Sequence, residues 1–422
     1  MKVFKFGGAS VKDAEAVKNV AEIIKQYKDD AITIVVSAMG KTTNAFENLL
    51  KAFYFGEGDT HEILEEIKKF HFDIISELFP DKENPIHHEI HNTFIEVDWQ
   101  IEDDPVGTYD FEYDQMVPLG ELLSTKIVSA YLKELNIPNR WLDVRDVLRT
   151  DNTYRKSKVD WEYSNNAIQN IMGKYFKENP RGIIITQGFM AGTSENYTST
   201  LGREGSDYSA AILAAALKAE EVIIWKDVEG MLNADPKYFN KTVKLNNISY
   251  REAAELAYFG ASVIHPKTIK PLHKADIPLY IKSFFNPSNR GSLINNNTAA
   301  DSLIPSYIYK KKQILISIAG RDYEFITEDR LSHIYHIFAA HKVTINLMQN
   351  SALSFSVCVD DEHPKIDKLI EELQKDYDVT YNKEVELLTI RHYEEEVIEE
   401  LTTNKIILVE QRSRNTARFV LK

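Results

Sequence analysis

The sequence predicts an α/β protein with a mainly parallel sheet, followed by a smaller α+β region. Three observations predict this fold class. Short apolar strands alternate with helical patterns over residues 1–290, a glycine pair follows the first strand, and the order of elements changes after an Asn-, Ser- and Pro-rich segment. A chain of 422 residues that is 43% hydrophobic can bury a large core, and its length indicates two or three domains.

The first elements set the pattern. Residues 3–6 form an apolar strand, and Gly7 and Gly8 follow at once. Residues 11–27 then have helical spacing, and residues 32–36 form a second apolar strand. This strand, glycine turn, helix and strand order is typical of a parallel sheet.

The middle of the chain continues the alternation. Residues 44–136 are predicted to be mostly helical, with a loop at 98–110. The alanine-rich segment 207–217 favours a helix strongly. Further strands are predicted at 140–144, 182–186, 221–225 and 278–281, and further helices at 207–217, 249–259 and 266–274.

The C-terminal region has a different order. The segment 285–305 is the best linker candidate, because it is rich in Asn, Ser and Pro. After it, strands and helices follow in a βαββα order that is typical of a small ferredoxin-like unit. We therefore predict a large domain at 1–300, a small α+β domain at 310–376 and a shortened, degenerate second unit of the same kind at 377–422.

Composition excludes several classes of protein. The formal net charge of −14 disfavours nucleic acid and anionic membrane surfaces as partners. The single cysteine, Cys358, excludes an intrachain disulfide and a zinc site made of several thiolates. A reducing cytoplasm is the expected location, since no secretory signal or transmembrane stretch is recognised.

Polar residues cluster at three predicted strand ends. The first cluster is KFGGAS, where backbone amides and Lys5 could hold phosphate, although a plain turn would explain a Gly-Gly pair equally well. The second is the segment 198–209, in which Arg203 could hold a carboxylate and Asp207 begins a helix. The third is the segment 225–237, at the end of an apolar strand, where open α/β sheets bind ligands.

Two nucleotide-binding motifs are absent. Gly40-Lys41-Thr42 resembles the end of a Walker A loop, but Val35 stands where that motif needs glycine. The dinucleotide motif GxGxxG is also missing, so a Rossmann dehydrogenase has no support.

Seven segments together resemble the aspartokinase branch of the amino acid kinase family, over roughly residues 1–290. The segments, in order, are KFGGAS, VVSAMGKTTN, GELLS, ITQGFMAG, LGREGSDYSAA, WKDVEGMLNADP and FGASVIHP. The resemblance implies a three-layer αβα sandwich. It also implies transfer of the ATP γ-phosphoryl group, with Mg²⁺, to the β-carboxylate of L-aspartate, the first step of lysine, threonine and methionine biosynthesis.

The resemblance also implies roles for individual residues. Lys5 and Asp207 would be catalytic, the first by stabilising charge on the phosphoryl group and the second by orientation. The substrate would contact Ser37, Thr43, Glu121, Arg203 and Ser206. The nucleotide would contact Lys5, Gly7, Gly8, Ser10, Lys226, Asp227, Gly230, Leu232, Lys237 and Ser262. No direct metal ligand is assigned.

The C-terminal region resembles the ACT regulatory domain, which implies an amino-acid effector such as lysine or threonine and a homodimer or homotetramer. The sequence departs from the family there. Asn346 replaces a usual Asp and Ala352 a usual Glu, while Ser351 is retained. We therefore hypothesise that lysine inhibition is weak or absent.

The sequence also departs from the family pattern near the residues that are expected to contact the nucleotide. Ala9 replaces a usual Thr, Leu232 a usual Tyr, Lys237 a usual Arg and Ser262 a usual Lys. Two other functions remain open on the sequence: a catalytically silent amino-acid sensor, and a kinase for another small carboxylate.

Overall fold

The structure is a computed structural model that describes residues 1–202, 204–261 and 264–422. The described residues form two compact units. The first contains residues 1–231, 244–254 and 264–298, and the second contains 232–243, 255–261 and 299–422. Among the described helices, none combines the length and the apolar character that a bilayer-spanning segment needs.

The first unit is built on an eight-stranded sheet and a small hairpin. Its strands are β1 (Lys2–Phe6), β2 (Ile32–Val36), β3 (Arg140–Trp141), β4 (Ile183–Gln187), β5 (Met190–Gly192), β6 (Thr198–Thr200), β7 (Glu221–Lys226), β8 (Asn247–Ser249), β9 (Leu279–Ser283) and β10 (Ser292–Asn295). The sheet order is β3-β4-β2-β1-β7-β9-β10-β8, and β5 pairs with β6 in the hairpin. Every neighbouring pair in the large sheet is parallel except β9 with β10.

Helices cover the sheet. They are α1 (Ala14–Lys25), α2 (Thr42–Phe55), α3 (Thr60–Leu78), α4 (Pro85–Glu102), α5 (Tyr109–Met116), α6 (Leu119–Glu134), α7 (Trp161–Ile168), α8 (Lys174–Glu178), α9 (Gly205–Leu217), α10 (Tyr250–Phe259) and α11 (Pro266–Ala275). Residues of α10 divide between the two units. Helices α1 and α6 contact one another, and α7 and α11 contact α9, so two helical layers enclose the sheet.

The strand sequences explain this enclosure. All five residues of β2 and of β4 are buried, as expected for parallel strands covered on both faces. Helix α1 begins at Asp13, whose side chain accepts a hydrogen bond from the backbone N–H of Ala16.

The register of the strands positions the site. Phe6 pairs with Val36 on one side and with Trp225 on the other, and Val36 pairs with Gln187. The four strands therefore end level with one another, and the loops that follow them share one edge of the sheet. Ligands bind at this edge in open α/β sheets.

The second unit contains a six-stranded antiparallel sheet with the order β12-β13-β11-β14-β16-β15. Its strands are β11 (Ser306–Ala319), β12 (Ile345–Asn350), β13 (Ser354–Asp360), β14 (Asp378–Arg391), β15 (Ile407–Arg412) and β16 (Thr416–Leu421), and its helices are α12 (Glu328–Ala340), α13 (Lys365–Leu373) and α14 (Glu395–Thr402). Strands β11 and β14 pair along most of their length, with register shifts between Lys310 and Leu315.

Among the described residues, three apolar clusters lie on this sheet, and two of them include its helices. One joins the second half of β11 to α12 and α13 through residues such as Ile316, Phe338 and Leu369. The other joins the second half of β14 to α14 and β16 through residues such as Leu388 and Phe419. The prediction of an α/β fold with a mainly parallel sheet and a C-terminal α+β region is confirmed.

One local prediction was wrong, and a second was right in part. The predicted loop at 98–110 is shorter, because α4 continues to Glu102 through residues that favour a helix and only 103–108 are irregular. The predicted linker at 285–305 includes the boundary between the two units, which falls between residues 298 and 299, but its first part contains β10, which pairs with β9 and β8.

Candidate active site

A three-membered ion cluster lies at the shared edge of the sheet. Lys5 Nζ lies 2.7 Å from Asp207 Oδ1, and Lys226 Nζ lies 3.6 Å from Asp207 Oδ2. Lys5 belongs to β1, Lys226 ends β7, and Asp207 lies in the first turn of α9. The strand register and the start of α9 therefore bring these three residues together, although Lys5 and Lys226 lie 221 positions apart in the sequence.

The charges of this cluster interact strongly because its side chains are largely buried. Asp207 is 2% exposed and Lys5 is 8% exposed. Burial alone would raise the pKa of the Asp207 carboxyl group, but the charges of Lys5 and Lys226 outweigh it and hold this pKa below its usual value. Two cations share one carboxylate, so the cluster presents positive charge to an anionic ligand.

A glycine turn lies beside the cluster. Gly7 precedes a 3₁₀ turn at Gly8–Val11, and the backbone N–H of Gly40 donates to the carbonyl of Gly8 at 3.0 Å. A Cβ added at Gly8 would lie 2.8 Å from the carbonyl oxygens of both Ala38 and Gly40. The close approach of two turns therefore requires glycine here.

A second carboxylate lies nearby on α6. Glu121 is 4% exposed, and its Oε1 accepts a hydrogen bond of 2.7 Å from the Ser206 hydroxyl. Its Oε2 has no hydrogen-bond partner among the residues that the structure describes. Burial raises the pKa of Glu121 to about 7, and the Ser206 hydroxyl, the charge of Lys5 and the backbone N–H groups of Gly188 and Ala38 lower it only in part.

The loop after β4 closes this part of the site. Gly188 lies against Ser206 so closely that no side chain would fit at position 188. Ser206 and Asp207 follow one another in the first turn of α9, so Glu121 and Lys5 contact adjacent residues. An uncompensated acceptor oxygen therefore lies next to a cationic cluster.

The other predicted residues lie as follows. Ser10 donates its hydroxyl to the carbonyl of Trp225 at 3.3 Å, and the carbonyl of Ser37 accepts from Ser124 at 2.8 Å. Thr43 is half-buried in α2. Asp227 and Gly230 follow β7, and Gly230 has a φ of +146°. Leu232 and Lys237 belong to the second unit. The predictions for Arg203 and Ser262 fall on positions outside the described residues.

Asp114 is a residue that the sequence reasoning missed. It is fully buried in α5, and it accepts hydrogen bonds from the backbone N–H groups of Arg155 and Thr200 and from the Thr200 hydroxyl, at 2.7–3.0 Å. Thr200 ends β6, three positions before Arg203. Asp114 shares its segment with Asp110 and Glu112, so no local signal in the sequence singles it out.

The comparisons with known proteins agree with this geometry. The model of the amino acid kinase family matches residues 1–283. The lysine-sensitive aspartokinase 3 of Escherichia coli (strain K12) is 32% identical over 362 residues, which are 85% of this chain and 78% of that protein.

Two solved structures resemble the whole chain. The crystal structure of E. coli aspartokinase III in complex with aspartate and ADP (R-state) is 27% identical and has a TM-score of 0.85, covering 100% of this chain and 96% of that one. The structure of the same enzyme with lysine and aspartate (T-state) is 28% identical and has a TM-score of 0.82, with 100% and 95% covered. The chain belongs to the amino acid kinase family and, within it, to the aspartokinases.

Proposed function

We propose that this chain is an aspartate kinase, which transfers the γ-phosphoryl group of ATP to the β-carboxylate of L-aspartate and forms 4-phospho-L-aspartate. The observation that carries the proposal is the free acceptor oxygen of Glu121 beside the cluster of Lys5, Asp207 and Lys226. L-Aspartate would offer its ammonium group to Glu121, while its β-carboxylate and the phosphoryl group of ATP would offer negative charge to the cluster. The related E. coli enzyme was solved with aspartate and ADP.

The chemistry requires positioning and charge neutralisation more than acid–base help. An oxygen of the β-carboxylate forms a bond to the γ-phosphorus, while the bond from that phosphorus to the bridging oxygen of ADP breaks and ADP takes the electron pair. The carboxylate is already ionised at neutral pH, so no general base is needed. Lys5 would stabilise the charge on the transferring group, as a positioned cation does in phosphoryl transfer.

Each remaining residue has a role that fits its position. Glu121 would accept the substrate ammonium group, with Ser206 fixing its carboxylate. Asp207 would orient Lys5 and Lys226. Backbone amides around Gly7, Gly8 and Ser10 would hold phosphate, and Ser37 and Thr43 would line the same edge. The role of Arg203 as a clamp for the α-carboxylate rests on the sequence resemblance.

Mg²⁺ fits this site as a partner of the nucleotide. Among the described residues no group of three or more His, Cys, Asp or Glu side chains could hold a metal ion. Mg²⁺ commonly binds through substrate phosphates with only one or two carboxylates. When bound, it would neutralise phosphate charge, with Asp227 as the nearest candidate carboxylate after β7.

Regulation is proposed for the second unit. The E. coli relative was solved with lysine, and the antiparallel sheet of the second unit is consistent with an ACT region. We propose that this unit binds an amino-acid effector and that the chain forms a homodimer or homotetramer. Light scattering with and without lysine or threonine would test both.

The first experiment is ADP release from Mg-ATP with L-aspartate, beside L-glutamate. Turnover with aspartate and not with glutamate is expected. Lys5→Met should lower kcat at least 100-fold, because the transferring group loses a preorganised cation. The matched control is Lys2→Met on the same strand, where Lys2 pairs with Glu221 at 2.7 Å, and it should stay within twofold. No turnover by the folded, unmodified protein would instead support a silent sensor.

A further inference from the structure

A cavity in the first unit is lined by none of the residues assigned to phosphoryl transfer, although Tyr208 in its lining directly follows Asp207. It has a volume of about 740 Å³ and is lined by the segment 156–165 together with residues of α9 and α11. This volume lies within the range of about 300–1,000 Å³ that is common for small-molecule sites. The cavity is therefore large enough for a ligand the size of a nucleotide.

The lining of this cavity is strongly basic in an acidic protein. Five lysines line it: Lys156, Lys158, Lys267, Lys270 and Lys274. None of the described lining residues is acidic, although the chain has a net charge of −14. Within the described part of the chain, none of the five forms an ion pair with a carboxylate. Their mutual repulsion is therefore left for solvent or a ligand to offset.

Lys267 is close enough to Lys156 to be affected by its charge. Partial burial and the charge of Lys156 both lower the pKa of the Lys267 ammonium group. All five lysines are exposed, so solvent screens part of this repulsion, and an anion between them would offset the rest.

An uncompensated hydroxyl adds a second, independent indication. Ser157 lines the cavity and is 4% exposed, yet its Oγ has no hydrogen-bond partner among the described residues. Buried hydroxyl groups are nearly always paired. Its Oγ is covered from solvent, so a ligand oxygen would become its partner only after the side chain rotates toward the cavity.

Two aromatic rings define the apolar part of the lining. Trp161, at the start of α7, and Tyr208, in the first turn of α9, both line the cavity. Rings of this kind stack on flat ligands, while the lysines provide charge for phosphate. We propose that this cavity is a second binding site for a nucleoside di- or triphosphate, separate from the site of phosphoryl transfer.

The cavity is connected to the aspartate site by two hydrogen bonds. The backbone N–H of Ser157 donates to the carbonyl of Thr200 at 3.0 Å, and Lys267 Nζ donates to the carbonyl of Leu201 at 3.3 Å. Thr200 and Leu201 lead into α9, whose first turn contains Asp207. A ligand that draws Lys267 away from Leu201 therefore changes aspartate binding, an effect that rests on the proposed function.

The binding experiment is isothermal titration calorimetry of the full chain with ADP in the presence of Mg²⁺. Two ADP molecules per chain are expected. The double variant Lys267→Gln/Lys270→Gln should bind one, or bind the second at least tenfold more weakly. The control Lys28→Gln/Lys82→Gln removes two exposed lysines elsewhere and should still bind two. The proposal would be overturned if the unmodified chain bound only one ADP. It would also be overturned if the cavity variant bound two ADP molecules with unchanged affinity.

The kinetic experiment separates this inference from the proposed function. The Lys267→Gln/Lys270→Gln variant should change the KM for aspartate at least threefold, measured at a high concentration of ATP that contains no ADP. Its kcat should stay nearly unchanged. If calorimetry shows two ADP sites but aspartate is not phosphorylated, the cavity proposal is supported and the kinase assignment is wrong. If turnover occurs with a single ADP site, the kinase assignment stands and the cavity proposal fails.

Discussion

Protonation of Glu121 controls whether the amino-acid pocket carries a negative charge. Its carboxyl group is buried in α6, and burial raises its pKa to about 7. The ionised form is needed to accept an ammonium group, and it predominates only above that pKa. We therefore expect kcat/KM for aspartate to rise with pH between 6 and 8 and to level off above, falling about tenfold per unit on the acid side.

A variant can assign this pH dependence. Glu121→Gln keeps the shape of the side chain and removes its titration, so the rise between pH 6 and 8 should disappear and the KM for aspartate should increase. The KM for ATP should change little, because the ammonium group belongs to aspartate. An identical pH profile in the variant would show that another group titrates.

At the scale of single elements, the turn after β1 depends on the absence of a side chain at Gly8. A Cβ there would press on the carbonyl oxygens of Ala38 and Gly40 at 2.8 Å, so Gly8→Ala must separate the two turns. Because backbone amides of this turn are proposed to hold phosphate, we expect the KM for ATP to rise at least tenfold.

The control for Gly8→Ala is a glycine that ends α2. Gly56 has a φ of +68°, and a Cβ there would meet no atom within 4 Å. Gly56→Ala should lower the melting temperature through its left-handed backbone while leaving the KM for ATP unchanged. If Gly8→Ala and Gly56→Ala changed the KM for ATP equally, the turn after β1 would have no specific role in binding phosphate.

Asp114 connects α5 to two other segments of the chain. Its carboxylate accepts from the backbone of Arg155 and from both the backbone and hydroxyl of Thr200. Asp114→Asn would place an amide N–H₂ against a donor, so we expect the free energy of unfolding to fall by about 1–3 kcal/mol. The KM for aspartate should also rise several-fold, because Thr200 leads to Arg203.

A neighbour on the same helix tests whether this effect is specific. Asp110 is exposed and pairs with the Arg155 guanidinium at 3.2 Å, so Asp110→Asn should change unfolding by well under 1 kcal/mol. Thermal unfolding and aspartate kinetics of both variants measure the difference. A shift in stability without any shift in KM would make Asp114 a structural residue only.

The sequence could predict elements better than their contacts. Lys5, Asp207 and Lys226 were each placed at the correct end of a strand or helix, because apolar runs and glycine turns are local signals. Their ion cluster depends on β1 lying beside β7 in a fixed register, which no local pattern encodes. Asp114 was missed for the same reason, since its partners lie 41 and 86 positions away.

At the scale of the whole molecule, the structure of the second unit bears on regulation. Asn346, where the aspartokinase resemblance expects an acid, is already engaged. Its Oδ1 accepts from Lys310 Nζ at 3.0 Å, and its Nδ2 donates to Gln313 Oε1 at 2.8 Å. Arg418 donates to its carbonyl at 2.6 Å. This position is therefore surrounded by two protein cations, which disfavour the ammonium groups of free lysine.

We accordingly expect lysine at 1 mM to inhibit aspartate turnover by less than a factor of two, although the E. coli relative was solved with lysine. Restoring the acidic pattern with Asn346→Asp/Ala352→Glu should lower the lysine concentration for half-inhibition at least tenfold, because two carboxylates then offset Lys310 and Arg418. Asn350→Asp, on the same strand, adds a charge at an exposed position and serves as the control. Sub-millimolar inhibition of the unmodified chain would contradict the degenerate-site hypothesis, and it would mean that Ser351 and the backbone around it suffice to bind lysine.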